Sequence, residues 1–206
     1  MWKTYFTSDT HFGIDAYSIL KREMRPFDTP LEYINTQIKV WNMQVHESDT
    51  IYHLGDFCNY NKDEIEWDSG LKIVKWVNAK VVLIIGNNEQ RVVTEKFNND
   101  FAKFEEYCKG IGFKGVYKSL DLTEAEGIKL GNIDKNVYLV HSPADCRDDC
   151  LNLFGHTHRA GGLYRKYGLN VGTDLNHFQL YSREDLDYLL SEKEQYWDND
   201  GALNKF

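Results

Sequence analysis

Positive charge is scarce in this chain. It has 24 lysines and arginines against 32 acidic residues over 206 positions, a formal charge of −8. Such a surface repels polyphosphate as a whole, so nucleic acid is an unfavoured partner and any contact with it would have to be local. Long apolar runs are missing too. The most apolar stretch, Val81 to Ile85, falls far short of the roughly 18 residues that a membrane span needs. No basic segment leads an apolar one at the N-terminus, and no small-residue cleavage site follows. These absences predict a cytoplasmic protein with no membrane partner. The cysteines, Cys58, Cys108, Cys146 and Cys150, have no C-x-x-C spacing, which argues against a zinc ribbon and for reduced thiols. Only Cys146 and Cys150, at i and i+4, form a close pair. Neither an internal repeat nor a low-complexity linker is visible. The expectation is therefore one domain over residues 1–206, with the polar end at about 197–206 frayed.

What is present is a rhythm. Short apolar runs end repeatedly in clusters of small and polar residues, as buried strands do when they deliver side chains at their C-terminal ends. Tyr5-Phe6 leads to Ser8-Asp9-Thr10-His11, Thr50 to Leu54 leads to Gly55-Asp56, and Val81 to Ile85 leads to Gly86-Asn87-Asn88-Glu89. Val137 to Val140 leads to His141-Ser142-Pro143, Leu151 to Phe154 to Gly155-His156-Thr157-His158, and Leu169 to Val171 to Gly172-Thr173-Asp174. Helical periodicity fills the gaps at Pro30 to Val45, Ile65 to Val77, about Arg91 to Tyr107, and Arg183 to Leu190. Asp28-Thr29-Pro30 has the chemistry of a helix start. Residues 110–132, punctuated by glycine, are expected to form an antiparallel pair from Phe113–Leu120 and Gly127–Leu130. The fold class is α/β.

The polar strand ends collect Asp9, His11, Asp56, Asn87, His141, His156 and His158, expected along one edge of one sheet, where α/β folds open their binding crevice. Carboxylate, imidazole and amide oxygen together suit manganese, iron, zinc or nickel better than magnesium. In Asp9-Thr10-His11 and in His156-Thr157-His158, a spacing of two puts both side chains on one side of an extended backbone. A lone D-x-H arises often by chance, whereas two histidines flanking Thr at a strand end have little packing rationale. Five such pieces in order, each after its own strand, point to a metal site.

Together these residues resemble the calcineurin-like metallophosphoesterase superfamily. The shared pattern is Asp9-x-His11, Gly55-Asp56, Gly86-Asn87, His141 and Gly155-His156-x-His158. Ser8 to Gly13, Arg25-Pro26-Phe27, Trp41-Asn42, Tyr52 to Phe57 and Asn170 to Asp174 are similar to the small single-domain phosphoesterases of bacteria and phages. The resemblance implies a four-layer α/β/β/α sandwich of two mixed β-sheets. It implies two divalent metal ions, one on Asp9, His11 and His158 and the other on Asn87, His141 and His156, with Asp56 bridging. The activity implied is hydrolysis of a phosphate ester by a metal-bridging hydroxide, with Asp56, Asn87, Asn88 and His141 in the catalytic centre.

The chain departs from that pattern at Asn88, where the family usually has a histidine that protonates the leaving group. General acid catalysis is commonly worth ~10² to 10⁴ in rate, so its loss favours a small-molecule phosphodiester over an alkyl monoester. His177 and His53 are the candidates for a substitute acid, although a structural role inside an apolar strand fits His53 better. Arg25 and His177, with Asn88, are the candidate substrate contacts, Arg25 because guanidinium suits phosphate. Gly13-Ile14-Asp15 lacks the further histidine that close relatives often carry. A nuclease of the same chemistry and a non-catalytic metal-binding interaction module on this fold are the alternatives.

Overall fold

The computed structural model describes residues 2–14, 16–61, 64–131, 133–165 and 168–196. The expected frayed tail at 197–206 lies outside them, as does Asp15. In chain order the elements are β1 (Thr4–Thr7), α1 (Tyr17–Arg22), α2 (Pro30–Gln44), β2 (Thr50–His53), α3 (Glu64–Lys72), β3 (Lys80–Ile84), α4 (Asn87–Lys96) and α5 (Phe101–Ile111). There follow β4 (Gly115–Tyr117), β5 (Leu120–Asp121), α6 (Leu122–Glu126), β6 (Val137–Leu139), β7 (Leu151–Phe154), β8 (Tyr164–Arg165), β9 (Gly168–Asn170), β10 (Tyr181–Ser182) and α7 (Arg183–Tyr196).

These strands make two five-stranded mixed sheets, ordered β10-β1-β2-β3-β4 and β5-β6-β7-β9-β8. In the first, β1 to β4 run parallel and β10 is antiparallel. In the second, β6, β7 and β9 run parallel between two antiparallel edge strands. The period of two along each strand builds the layers. Tyr5, Ile51, Val81 and Leu83 point into a core shared with the helices, through Ile19, Tyr33, Trp41, Leu71, Val92 and Phe104. Their neighbours Phe6, Tyr52, Val82 and Ile84 point the other way, against Val137, Leu139, Leu151, Leu153 and Leu169 of the second sheet. Two mixed sheets packed together with helices is the architecture that the resemblance implied.

The start of α2 is as expected, with Pro30 at its first position and the Thr29 hydroxyl accepting the Glu32 N–H at 3.1 Å. Its buried face is Tyr33, Ile34, Gln37, Ile38 and Trp41, while Leu31 in the first turn is 60% exposed. The helix predicted from Arg91 to Tyr107 is two helices. Asn98 and Asn99, both at positive φ, end α4, and the Asp100 carboxylate accepts the Lys103 N–H at 3.1 Å to start α5. The predicted antiparallel pair in residues 110–132 does not form. Instead β4 extends the first sheet in parallel and β5 opens the second, with α6 capped by Asp121 between β5 and Gly127. Ile128 and Leu130 alternate into the intersheet core without a strand partner. No disulfide joins any of the cysteines. Among the described residues, no helix is long and apolar enough to cross a membrane.

Candidate metal centre

The polar strand ends do converge, though from two sheets and not from one edge of a single sheet. Asp9 and His11 follow β1, Asp56 follows β2, and Asn87 and Asn88 open α4 after β3, all in the first sheet. His141 follows β6, and His156 and His158 follow β7, in the second. The intersheet core brings these two rims together. The two forks are also not extended. Asp9, His11, Asp56, His156 and His158 have φ of 61°, 52°, 51°, 68° and 45°. Left-handed backbone at non-glycine residues costs of order 1–3 kcal/mol each and persists only where surrounding contacts impose it.

Those contacts are visible. Asp9 N–H donates to Gly55 O at 3.0 Å and His11 N–H to Asp56 O at 2.8 Å, tying the two loops together. The buried Glu89 carboxylate accepts three backbone N–H groups, from Gly86 and Asp56 at 2.8 Å each and from Cys58 at 3.0 Å. Gly155 leaves room that no other residue would. A Cβ there would collide with Ser8 Oγ and the Asp9 carboxylate.

Asp9 and Asp56 each have one oxygen engaged and one turned to the cluster. Asp9 Oδ2 accepts the His156 N–H at 2.8 Å, and Asp56 Oδ1 accepts the Asn88 N–H at 2.8 Å. The other oxygens face imidazoles. Asp9 Oδ1 lies 4.0 Å from His11 Nε2 and 3.8 Å from His158 Nε2. Asp56 Oδ2 lies 3.6 Å from His11 Nε2 and 3.8 Å from His141 Nε2, so it stands between the two histidines. His11 Nε2 and His158 Nε2 are 3.3 Å apart, and Asn87 and His156 meet at 3.0 Å.

The residues fit divalent metal. Asp9 Oδ1 and His141 Nε2 are buried with no hydrogen-bond partner, although isolated buried polar atoms are costly. Both belong to groups of three side chains whose ligand atoms are close enough to share an ion, Asp9 with His11 and His158, and Asp9 with Asp56 and His141. His141 Nδ1 is held on Leu54 O at 2.8 Å and His158 Nδ1 on Asp174 Oδ2 at 2.8 Å. Both rings thus present Nε2 to the cluster, as outer partners of metal-binding histidines do.

Electrostatics agree. Burial pushes the Asp56 carboxyl up to about 7. Burial opposes charge on His141 and on His158, yet Asp9 with Asp56 raises the first, and the Asp174 hydrogen bond with Asp9 raises the second. Burial drives His11 well below the usual imidazole range, and Arg25 adds to it.

Arg25 does not line the cleft over the site and makes an ion pair instead. It is 4% exposed, pairs with Asp174 through two bonds of 2.8 and 2.9 Å, and donates to Thr10 O and Asp9 O at 2.8 and 2.6 Å. Four of its five N–H donors hold the first fork and the partner of His158, and its side chain is fully buried. His177 is exposed and outside the cleft over the site. His53 is buried beneath Thr10, with Nε2 at 3.0 Å from the Thr10 hydroxyl and its ring against Phe57 and Trp41. That cleft, of about 430 Å³, is lined by His11, Asp56, Asn87, Asn88, His156 and His158, by Ser18, Ile19, Arg22 and Glu23 of the α1 region, by Asn59 to Asn61, and by Arg91.

Sequence reasoning missed Asp174, Glu89, Arg22 and Arg91. The first two sit in motifs already marked, and a Glu three residues after Gly86 at a helix start is a capping signal. Nothing local marks the two arginines, since only the packing of α1 and α4 around the cleft selects them.

A two-sheet α/β fold with Asp, His and Asn at facing strand ends defines a metal-binding phosphoesterase architecture. Residues 3–200 match the calcineurin-like phosphoesterase family, and the chain belongs to it. Membership carries metal-dependent phosphoester hydrolysis as the general activity of the class. The chain is similar to an uncharacterized protein of Methanocaldococcus jannaschii, 34% identical over 90 residues, which is 44% of this chain and 48% of that relative, or about half its length. The crystal structure of a protein of unknown function from Aquifex aeolicus shares the fold, with a TM-score of 0.61 at 22% identity, over 92% of this chain and 100% of that one.

Proposed function

We propose that the chain is a dinuclear-metal-dependent phosphodiesterase acting on a small soluble ester. Asp9, His11 and His158 would hold one divalent ion, Asn87, His141 and His156 the other, with Asp56 Oδ2 between them. Manganese, iron, zinc or nickel suits this donor set. Such ions, when bound, lower the pKa of water and polarise phosphoryl oxygens.

The observation that carries the diester preference is the composition of the cleft. Position 88 is an amide, His53 and His177 are elsewhere, and the remaining histidines of the cleft lining are His11, His156 and His158, all assigned to metal. Tyr60 donates to Glu95 at 2.7 Å, and burial with that carboxylate pushes its phenol up to about 12. Among the described residues of the cleft lining, no histidine or phenol is left to protonate a basic leaving alkoxide, whereas a diester with a stable leaving group needs none. Arg22 and Arg91 offer what Arg25 cannot. Arg22 spends its Nε on Glu23 at 2.7 Å, leaving the rest of the guanidinium to face the cleft, and Arg91 lines the α4 side. A volume of about 430 Å³ matches a small molecule, and two arginines in a chain of net charge −8 favour such a substrate over nucleic acid.

Metal content and a substrate panel test this reading. Near two ions per chain are expected, with diesters hydrolysed faster than alkyl monoesters and activity abolished in Asp56→Ala. Faster monoester turnover would overturn the diester preference. Metal-loaded protein inert towards diesters, monoesters and DNA would overturn catalysis itself and leave the interaction-module alternative.

A further inference from the structure

Asn88 is 8% exposed and touches one residue of each ligand group. Its N–H holds Asp56 Oδ1 at 2.8 Å, and its side-chain amide nitrogen lies 3.0 Å from His11 Nδ1. The opposite ring nitrogen, His11 Nε2, points into the cluster at 3.3 Å from His158 Nε2.

These contacts form a continuous chain of donors and acceptors. His158 Nδ1–H donates to Asp174, which in the neutral ring leaves His158 Nε2 as an acceptor. His11 Nε2–H can then donate to it, which leaves His11 Nδ1 as the acceptor that the Asn88 amide N–H meets. A cation between His11 and His158 reverses this requirement, because only a bare ring nitrogen ligates. A neutral imidazole carries one ring proton. With Nε2 bare, that proton must sit on Nδ1, and the group beside Nδ1 must accept.

An amide meets both demands. Its oxygen and nitrogen share one carbon, so a half-turn of the side chain puts Oδ1 where Nδ2 stands, with no change of charge. We propose that Asn88 is a positioning residue for His11, donating to Nδ1 in the metal-free protein and accepting from Nδ1–H in the loaded one. This rests on the metal-site reading above. It completes a pattern in which Leu54 O orients His141, Asp174 orients His158 and Asn88 orients His11. The amide at 88 then serves metal loading, and its value does not depend on protonating a leaving group.

Imidazole ¹⁵N NMR with zinc as the diamagnetic probe tests this without turnover. The expected result is His11 in the Nε2–H tautomer without metal and in the Nδ1–H tautomer with zinc. Asn88→Ala should lose roughly ten- to hundredfold in affinity for one zinc per chain by titration calorimetry, while Asn88→Asp, which keeps the acceptor, should recover it. His11 remaining Nε2–H after zinc uptake would overturn the proposal through the wild-type protein alone, whatever happens to the fold of the variants. So would two zinc ions bound by Asn88→Ala with wild-type affinity. Wild-type protein that takes up no zinc would overturn the metal-site reading, and this proposal with it.

Discussion

Asp56 combines deep burial with an open oxygen, and the two together make its ionisation expensive until a cation arrives. Its ordinary value is 3.8, and in the folded chain burial pushes it to about 7. Without metal the folded state therefore holds a proton that the unfolded state releases between these values. The contribution of Asp56 to stability falls as pH rises through that window and is fully lost above about 7. We expect Asp56→Asn to be increasingly more stable than the metal-free wild type as pH climbs from about 4 to 7, measured by thermal unfolding. A divalent ion takes only the ionised carboxylate and the neutral imidazoles, and His141 and His158 are raised above the ordinary imidazole value, so metal affinity should rise with pH through about 7. Calorimetric affinities that stay flat across this range would contradict the assignment. Arg25 gives a second residue-scale prediction. Arg25→Met leaves buried Asp174 without its guanidinium, with only His158 beside it, and strips donors from Asp9 O and Thr10 O, at a cost of about 3–5 kcal/mol in denaturant unfolding. A substrate-binding arginine would instead leave stability intact and raise KM.

At the scale of elements, the start of α4 organises the site. Glu89 in its first turn gathers the N–H groups of Gly86, Asp56 and Cys58 on one carboxylate, which binds the loop after β2 to the loop after β3. Glu89→Gln replaces one acceptor oxygen by a donor facing a donor. It should cost about 1–3 kcal/mol by denaturant titration, and weaken metal binding by releasing Asp56. Further along the same helix Arg91 reaches the cleft, opposite to nothing that neutralises it in an ion pair among the described residues. Arg91→Gln should raise KM for diesters several-fold with kcat little changed, because its contact precedes the chemistry. An equal fall in kcat would move Arg91 into the reacting centre. The central strands β1, β2, β3, β6, β7 and β9 and the start of α2 were legible because each carries its own period or caps, while the two-residue edge strands β8 and β10 and the short helices α1 and α6 are too brief to show a period. The split between α4 and α5 was missed because the punctuation is Asn98-Asn99-Asp100, which lacks the glycine or proline that marks most helix ends.

For the whole molecule, the two sheets are joined by apolar contact in the middle and by ligands at one rim. Phe6 and Leu153 are fully buried in the intersheet core, and Phe6→Ala should cost about 3–5 kcal/mol. The ligands after β1 and β2 come from one sheet and those after β6 and β7 from the other, so metal should act as a second clasp. Chelation should lower the melting temperature, and at metal concentrations near 100 times Kd the clasp contributes about 2.7 kcal/mol. A melting temperature indifferent to chelator would mean that the rim is held by protein contacts alone.

The sequence by itself determined which side chains end each strand. Apolar alternation and the small and polar residues after it are local, so Asp9, His11, Asp56, Asn87, His141, His156 and His158 could be named from order and spacing. Only the tertiary structure decided what each one faces. The backbone at both forks is left-handed where local geometry argued for extended, because loops from different strands bond to each other there. Arg25 turned from a substrate contact into the support of Asp174 and Asp9, since a guanidinium binds carboxylate, carbonyl and phosphate with the same fork and the nearest partner is set by folding. Asn88 likewise could be read as a missing acid until His11 was found beside it. Residue type and spacing fix what a group can do, while distances across two sheets fix which of those things it does.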